Sequence, residues 1–292
     1  MERIRLSIAC LLVCLLGSTG CLFRHHKVEP HRTTAPLKSA TQPELVARIG
    51  ELSAAIQTMN ATVDIDTTAG GEKSGQVTEF QEIRGYILIQ QPRQIRMIGL
   101  LPIVRTTAFD MLSDGDHFQL LIPPKSRLIT GPNQSSVVSK NPLENLRPHI
   151  IHDALLVPPI DPENEIAVLE EGYQQVRDEH RQLVDQPNYH LLVIHRYGLQ
   201  WRLDRKIYFS RADLEPYRQT TYDEHGAVAS DVTYSDRQEF SGLRFPALIE
   251  IERPQEEYRI VLKMIKLSLN QPLTAEQFKM EVPSGTAITE LK

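Results

Sequence analysis

The stretch Phe109-Asp110-Met111-Leu112-Ser113-Asp114-Gly115-Asp116-His117-Phe118-Gln119-Leu120-Leu121-Ile122 decides the fold class. Phe109 and Met111 on its first limb, and Phe118, Leu120 and Ile122 on its second, recur at the period of two that marks a strand with one buried face. Asp114-Gly115 between them is hairpin-turn chemistry, and Pro123-Pro124 ends the second limb. Towards the N-terminus the same period continues. Ile95 and Met97 are in phase over residues 94–100. Ile83, Ile87 and Ile89 share a face of a long strand predicted over 78–90, in which Gly85 marks a bend or bulge. Earlier still, Ala61, Val63 and Ile65 alternate with polar residues until Gly70-Gly71 turns the chain. Hairpins that follow one another build an antiparallel meander and not a βαβ fold.

Past the middle of the chain the alternation returns. Leu191-Val193, Trp201-Leu203 and Ile207-Phe209 read as strands, then a hairpin runs through Asp223-Glu224-His225-Gly226. Val228, Val232 and Tyr234, then Phe245 to Ile251, then Tyr258 to Met264 complete the set, for about ten or eleven strands. Residues 161–179 are acidic and fit a helix or a strand. Two segments have helical spacing instead. Thr41 and Glu44 have capping-box spacing with Pro43 in the first turn, and Leu45, Ile49, Leu52, Ile56 and Met59 fall on one face, which predicts an amphipathic helix to about residue 60. A second helical stretch opens at Asn141-Pro142 and carries Leu143, Leu146, Ile150, Ala154 and Val157, with Pro148 predicting a kink or two short helices.

The N-terminus reads differently. Arg3 and Arg5 precede an apolar run from Leu6 to Leu16, then Gly17, Ser18, Thr19 and Gly20 lead into Cys21. This is the order of a secretory signal, and the run is short for a membrane span. Small residues directly before a cysteine resemble the bacterial lipobox, although Ser18 stands where that motif prefers Leu or Val. The alternative is an ordinary cleaved signal with an incidental cysteine. The resemblance implies a chain processed after residue 20 and acylated (palmitate) at Cys21. Two or three acyl chains, at about 0.8 kcal/mol per buried methylene, make such an anchor effectively permanent. Leu22, not Asp, follows Cys21, and by the enteric sorting rule this points to the outer membrane facing the periplasm. Residues 21–40 are polar, basic and proline-bearing and read as a lipidated leash. Residues 41–292 form the domain.

Composition excludes several functions. Once the signal is removed, Cys21 is the only cysteine, so no internal disulfide forms and the core must hold the domain together. The formal net charge is −5 with both signs interspersed, and no basic block interleaved with aromatics marks a nucleic-acid partner. No nucleophile elbow, phosphate-cradling glycine loop or metalloprotease helix is present. His149 and His152 are three apart without an acidic third ligand, and His25, His26 and His31 belong to the leash. The reading is non-enzymatic, with neither metal nor cofactor.

The order of elements resembles the LolA/LolB superfamily of bacterial lipoprotein and lipid carriers over roughly residues 41–285. The landmarks are the leading helix, the glycine-containing strand into Gln91-Pro92-Arg93-Gln94-Ile95, the Ser113-Asp114-Gly115 turn and the helix from Asn141. Leu269-Asn270-Gln271-Pro272-Leu273, Phe278 and Pro283-Ser284-Gly285 complete them. The resemblance implies a mainly β (α+β) fold, an incompletely closed antiparallel β-barrel whose concave face is covered by helices, with Leu45, Ile49, Leu52 and Ile56 on the lid.

An apolar hollow of that kind suits acyl chains. Its candidate lining is Ile83, Ile87, Ile89, Ile95, Met97, Phe109, Met111, Phe118 and Leu120, with Trp201 opposite. The same alternation fits a filled core equally well, since a period of two shows a buried face and not an empty one. Leu100-Leu101-Pro102-Ile103-Val104 is apolar where a connection normally faces water. LolB-type receptors carry a protruding leucine-bearing loop at the corresponding place, so Leu101 and Ile103 are the membrane-contact candidates; a strand-end packing cluster is the other reading. LolA-type carriers have a lid-latching Arg just before the turn proline, where this chain has Gln91.

The expected function is therefore that of an outer-membrane-anchored lipoprotein. It would bind lipid or lipoprotein acyl chains, received from a periplasmic carrier protein, and assist their delivery to the membrane. The competing reading is a structural or envelope-stress-sensing lipoprotein that binds a protein partner with the same fold.

Overall fold

The computed structural model describes residues 36–133, 147–177 and 180–291. The expected signal, Cys21, most of the leash and the start of the second helical stretch lie outside the described residues. Among those described, one helix comes first, α1 (Gln42–Ala54). The strands β1 (Thr58–Gly71), β2 (Gln76–Glu79), β3 (Ile83–Gln90), β4 (Gln94–Leu100), β5 (Thr107–Ser113), β6 (His117–Ile122) and β7 (Arg127–Pro132) follow. Helix α2 (Pro148–Leu155) then precedes β8 (Glu165–Arg177), β9 (Leu183–Tyr197), β10 (Gln200–Ser210), β11 (Pro216–Tyr222), β12 (Val228–Phe240), β13 (Leu243–Arg253), β14 (Tyr258–Leu269) and β15 (Ala287–Glu290).

All these strands form one sheet in the order β15-β7-β6-β5-β4-β3-β1-β14-β13-β12-β11-β10-β9-β8, with β2 beside β1. Neighbours are antiparallel except for the β15–β7 pair. The pairing of β1 with β14 brings the two halves of the chain together, while β8 and β15 remain as edges. The sheet is therefore an unclosed barrel wall, as expected.

Fifteen strands among the described residues exceed the expected ten or eleven, and two of the additional ones have identifiable causes. The ambiguous acidic segment is a strand, β8, held by its full-length pairing with β9. Its side chains are mostly exposed, so no hydrophobic period marks it. The long strand expected over 78–90 is broken at residues 80–82 into β2 and β3. Helix α1 stops at Ala54, short of the expected residue 60. Thr58 onwards pairs with both β3 and β14, and two ladders outweigh one more helical turn. Its start matches the expectation: the Glu44 carboxylate accepts hydrogen bonds from the Thr41 N–H at 2.7 Å and the Thr41 hydroxyl at 2.8 Å. Helix α2 carries Pro148 at its first position, where the missing N–H costs nothing.

Two apolar clusters fill the inner face. The larger joins β1, β3–β7, β12–β14 and α2 around Ile87, Ile89, Ile95, Met111, Phe118 and Leu262. The smaller packs Leu45 and Ile49 of α1 on Tyr189, Leu191, Val193, Ile207 and Phe209. Fully burying a side chain of this size contributes about 1.5–3 kcal/mol; the Arg48–Glu215 ion pair and a hydrogen bond from the Gln42 amide to the Ala167 carbonyl at 3.2 Å add to the hold on α1. No helix among the described residues is long and apolar enough to cross a membrane.

Candidate functional site: an apolar cavity under the β4–β5 loop

At one end of the larger cluster the inner face is hollow. A cavity of about 260 Å³ lies between the sheet, α2 and the β4–β5 loop. Ile83, Met97, Phe109 and Leu120 reach it from four consecutive strands, Ile65 and Ile260 from the β1–β14 seam, and Ile151 from α2. Its polar side chains are Thr67 and Gln81, and no charged residue lines it. Such a wall offers dispersion contacts and no partner for an ion, so it can receive hydrocarbon but not a charged group.

The loop forms one border of the cavity. Leu101 and Pro102 line the cavity, whereas Ile103 and Val104 face outwards at 96% and 66% exposure. Three backbone bonds hold the loop: Leu101 N–H donates to the Thr106 carbonyl at 2.8 Å, Val104 N–H to the Pro102 carbonyl at 2.8 Å, and Arg105 N–H to the Leu101 carbonyl at 3.0 Å. Ile103 sits at φ 68°. A β-branched residue in the left-handed region costs about 1–3 kcal/mol. The strain is held at a position that buries none of the Ile103 side chain.

Charges ring the site at a distance. Arg84 forks onto Asp64 at 2.8 and 3.0 Å, and Lys263 pairs with Glu82 at 2.6 Å. Arg96 holds Asp110 at 3.0 and 2.7 Å and donates to the Gln277 carbonyl at 2.9 Å, which fastens the C-terminal segment to β4 and β5.

The expected lining residues thus divide. Ile83, Met97, Phe109 and Leu120 border the cavity. Ile87, Ile89, Ile95, Met111 and Phe118 lie in solid core beside it. Trp201 does neither: it is 47% exposed on the outer face of β10. A register shift between Leu203 and Arg205 is the cause. Trp201 and Leu203 oppose Arg196 and Ile194, while Ile207 and Phe209 oppose the inward-facing Leu191 and Tyr189. The bulge reverses the phase within one strand.

The expected lid helix is displaced too. Leu45 and Ile49 of α1 cover the β9–β10 half, Leu52 borders a separate pocket of about 80 Å³ with Tyr234 and Phe245, and Ile56 joins the larger core. The helix at the cavity is α2. Lining residues that the sequence did not single out include Ile65, Thr67, Phe80, Gln81, Ile151 and Ile260. Ile260 was legible as a strand residue, but nothing in the sequence sets it opposite Ile65.

On α2, His152 Nδ1 lies 3.0 Å from Asp153 Oδ1, and burial pushes the His149 imidazole down to about 4. Among the described residues no three His, Cys, Asp or Glu side chains converge as a metal site.

No protein-family model and no curated protein sequence matches the chain. Solved structures do. A LolA superfamily protein from Nitrosomonas europaea superposes with a TM-score of 0.50 at 14% identity, over 83% of this chain and 99% of that one. A DUF1329 family protein from Desulfovibrio piger gives 0.51 at 14% identity, over 81% and 95%. The fold is LolA/LolB-like.

Proposed function

We propose that this chain is a lipoprotein of the cell envelope that takes an acyl chain of a lipid or of another lipoprotein into the cavity under the β4–β5 loop and assists its delivery to a membrane. One observation carries the reading: a hollow without charge opens beside a strained loop in which Ile103 and Val104 are exposed and apolar. An engineered apolar cavity of about 150 Å³ stays dry and binds benzene. The volume here, about 260 Å³, suits a larger hydrocarbon, and a full set of chains requires α2 and the loop to shift. The LolA/LolB-like fold supports the same reading.

The remaining parts of the proposal rest on the sequence. Cys21 is the lipid attachment site, the outer membrane facing the periplasm is the address, and a periplasmic carrier is the donor. Transfer proceeds by differential affinity, and the protein acts as an acceptor and not as a catalyst. Mass spectrometry of organic extracts tests this on the exported chain carrying Cys21→Ala. Lipid or acylated peptide recovered in stoichiometric amount is the expected result, and its absence from protein purified without detergent overturns the reading.

A further inference from the structure

The β9–β10 hairpin is a second place where large apolar side chains stand in water. At its tip Leu199 is 102% exposed, Trp201 47% and Tyr197 43%. A turn of this kind asks only for Gly198 at φ 63°; its other positions are normally polar. Two cations lie against the aromatics: the Arg202 guanidinium is 4.0 Å from the Tyr197 ring centroid and that of Arg196 is 6.0 Å from the Trp201 ring. Nearby acids are engaged. Asp204 accepts the Tyr197 hydroxyl at 2.7 Å, and Asp161 accepts from the Glu163 N–H and the Asn164 amide within its own turn. From Trp201 the apolar surface continues along the outer face through Leu203 and Ile194 to Ile166, which is 48% exposed.

Register fixes where this tip lies. Arg205 is opposite Thr221 and Thr221 opposite Ser230; Asp231 is opposite Glu252, and Glu252 opposite Arg259. Arg259 is opposite Thr68, Ile65 opposite Ile83, and Arg84 opposite Leu100. The β9–β10 tip and the β4–β5 loop therefore leave the sheet at the same end, on opposite sides of the β1–β14 seam.

We propose that the β9–β10 tip is a second membrane-seating element whose occupant is a lipid surface. Leu199 and the Trp201 indole enter the interface, and Arg196 and Arg202 stand at the level of anionic headgroups. Tyr and Trp with one apolar side and one polar edge favour that layer, and arginines near anionic lipid add attraction. A protein of net charge −5 that places two arginines among its exposed aromatics offers this tip, and not its whole surface, to an anionic membrane. Two apolar points at one end orient the barrel, so that the end bearing the cavity faces the bilayer. The inference shares the membrane with the proposed function but does not need the cavity to hold lipid.

Trp201 is the only tryptophan in the chain, so its fluorescence reports this contact alone. The exported chain with Cys21→Ala is mixed with vesicles of phosphatidylethanolamine and phosphatidylglycerol, some bearing bromine on their acyl chains. The expected results are a blue shift of Trp201 emission, quenching by the brominated lipid, and several-fold weaker vesicle binding for Leu199→Ser, a change at an exposed turn. Co-sedimentation with vesicles while Trp201 emission stays unshifted and unquenched overturns the inference and leaves a protein partner for the tip; so does failure to bind vesicles at all. Organic extraction of the same preparation separates the two proposals. Quenching that persists while no lipid is extracted sinks the carrier reading and leaves this one standing.

Discussion

Gly85 of β3 and Gly99 of β4 face each other directly across the ladder, and their missing side chains are what the cavity wall leans into. A Cβ on Gly99 would lie 2.4 Å from Phe109 Cε1 and 2.8 Å from Ile83 Cδ1; one on Gly85 would lie 2.5 Å from Ile65 Cδ1 and 2.9 Å from the Ile98 carbonyl oxygen. Ile65, Ile83 and Phe109 are cavity residues. Two glycines side by side let them lie flat on the sheet.

Gly99→Ala is therefore expected to push Phe109 and Ile83 into the hollow. Overpacking of this kind costs about 1–3 kcal/mol. Chemical denaturation should show that loss, and binding of a fluorescent fatty acid should fall together with it. A variant of unchanged stability and binding would show that the glycine pair does not shape the cavity.

Leu101→Glu and Ile103→Glu should both slow transfer of an acylated cargo into liposomes. Ile103 is exposed, so its replacement should change stability by no more than about 0.5 kcal/mol, while Leu101→Glu places a carboxylate at the cavity mouth. Ile103→Gly removes the penalty of φ 68° and should stabilise the fold by about 1 kcal/mol while still impairing transfer. Transfer as fast as that of the unsubstituted protein in all three would remove the loop from the mechanism.

Asp110→Ala leaves the Arg96 guanidinium without its paired carboxylate between β4 and the C-terminal segment. Hydrogen bonds to charged groups contribute about 1.5–3 kcal/mol. A loss of that size in urea is expected, with earlier hydrogen exchange around residues 275–278. A loss confined to a few tenths of a kcal/mol would mean that the segment is held elsewhere.

His149 makes stability depend on pH. Its imidazole titrates at about 4 in the fold because burial disfavours the cation, and its Nδ1 is buried without a hydrogen-bond partner. In the unfolded chain it titrates near the ordinary 6.5. Above pH 6.5 both states are neutral there. As the pH falls from 6.5 towards 4, the unfolded chain binds a proton that the fold refuses. Stability then drops by up to about 3 kcal/mol and levels off below pH 4. Burial lowers the His190 value as well, so the wild-type slope contains both. His149→Leu should flatten its share of the decline between pH 6.5 and 4 in unfolding midpoints; an identical slope would refute the assignment.

Most strands were legible because each carries a one-sided period of two, and α1 announced its start through Thr41, Pro43 and Glu44. Strand β8 was ambiguous because it is an edge whose faces are both largely wet, so pairing with β9 and not burial defines it. Along the inner face, the alternation of Ile83, Ile87 and Ile89 is continuous although only the first borders the cavity.

What the sequence determined by itself was the antiparallel class, the apolar inner phase of β3 to β6, and the apolar β4–β5 connection, because each depends on neighbours a few residues apart. Tertiary structure decided where that phase is hollow. Ile151, Ile65 and Ile260 meet from distant parts of the chain, and a void is a property of their mutual distances, which no local period encodes. It also decided the side of Trp201, since one extra residue in the ladder between Leu203 and Arg205 turns the strand over, and a bulge is written in the pairing of two strands and not in either alone.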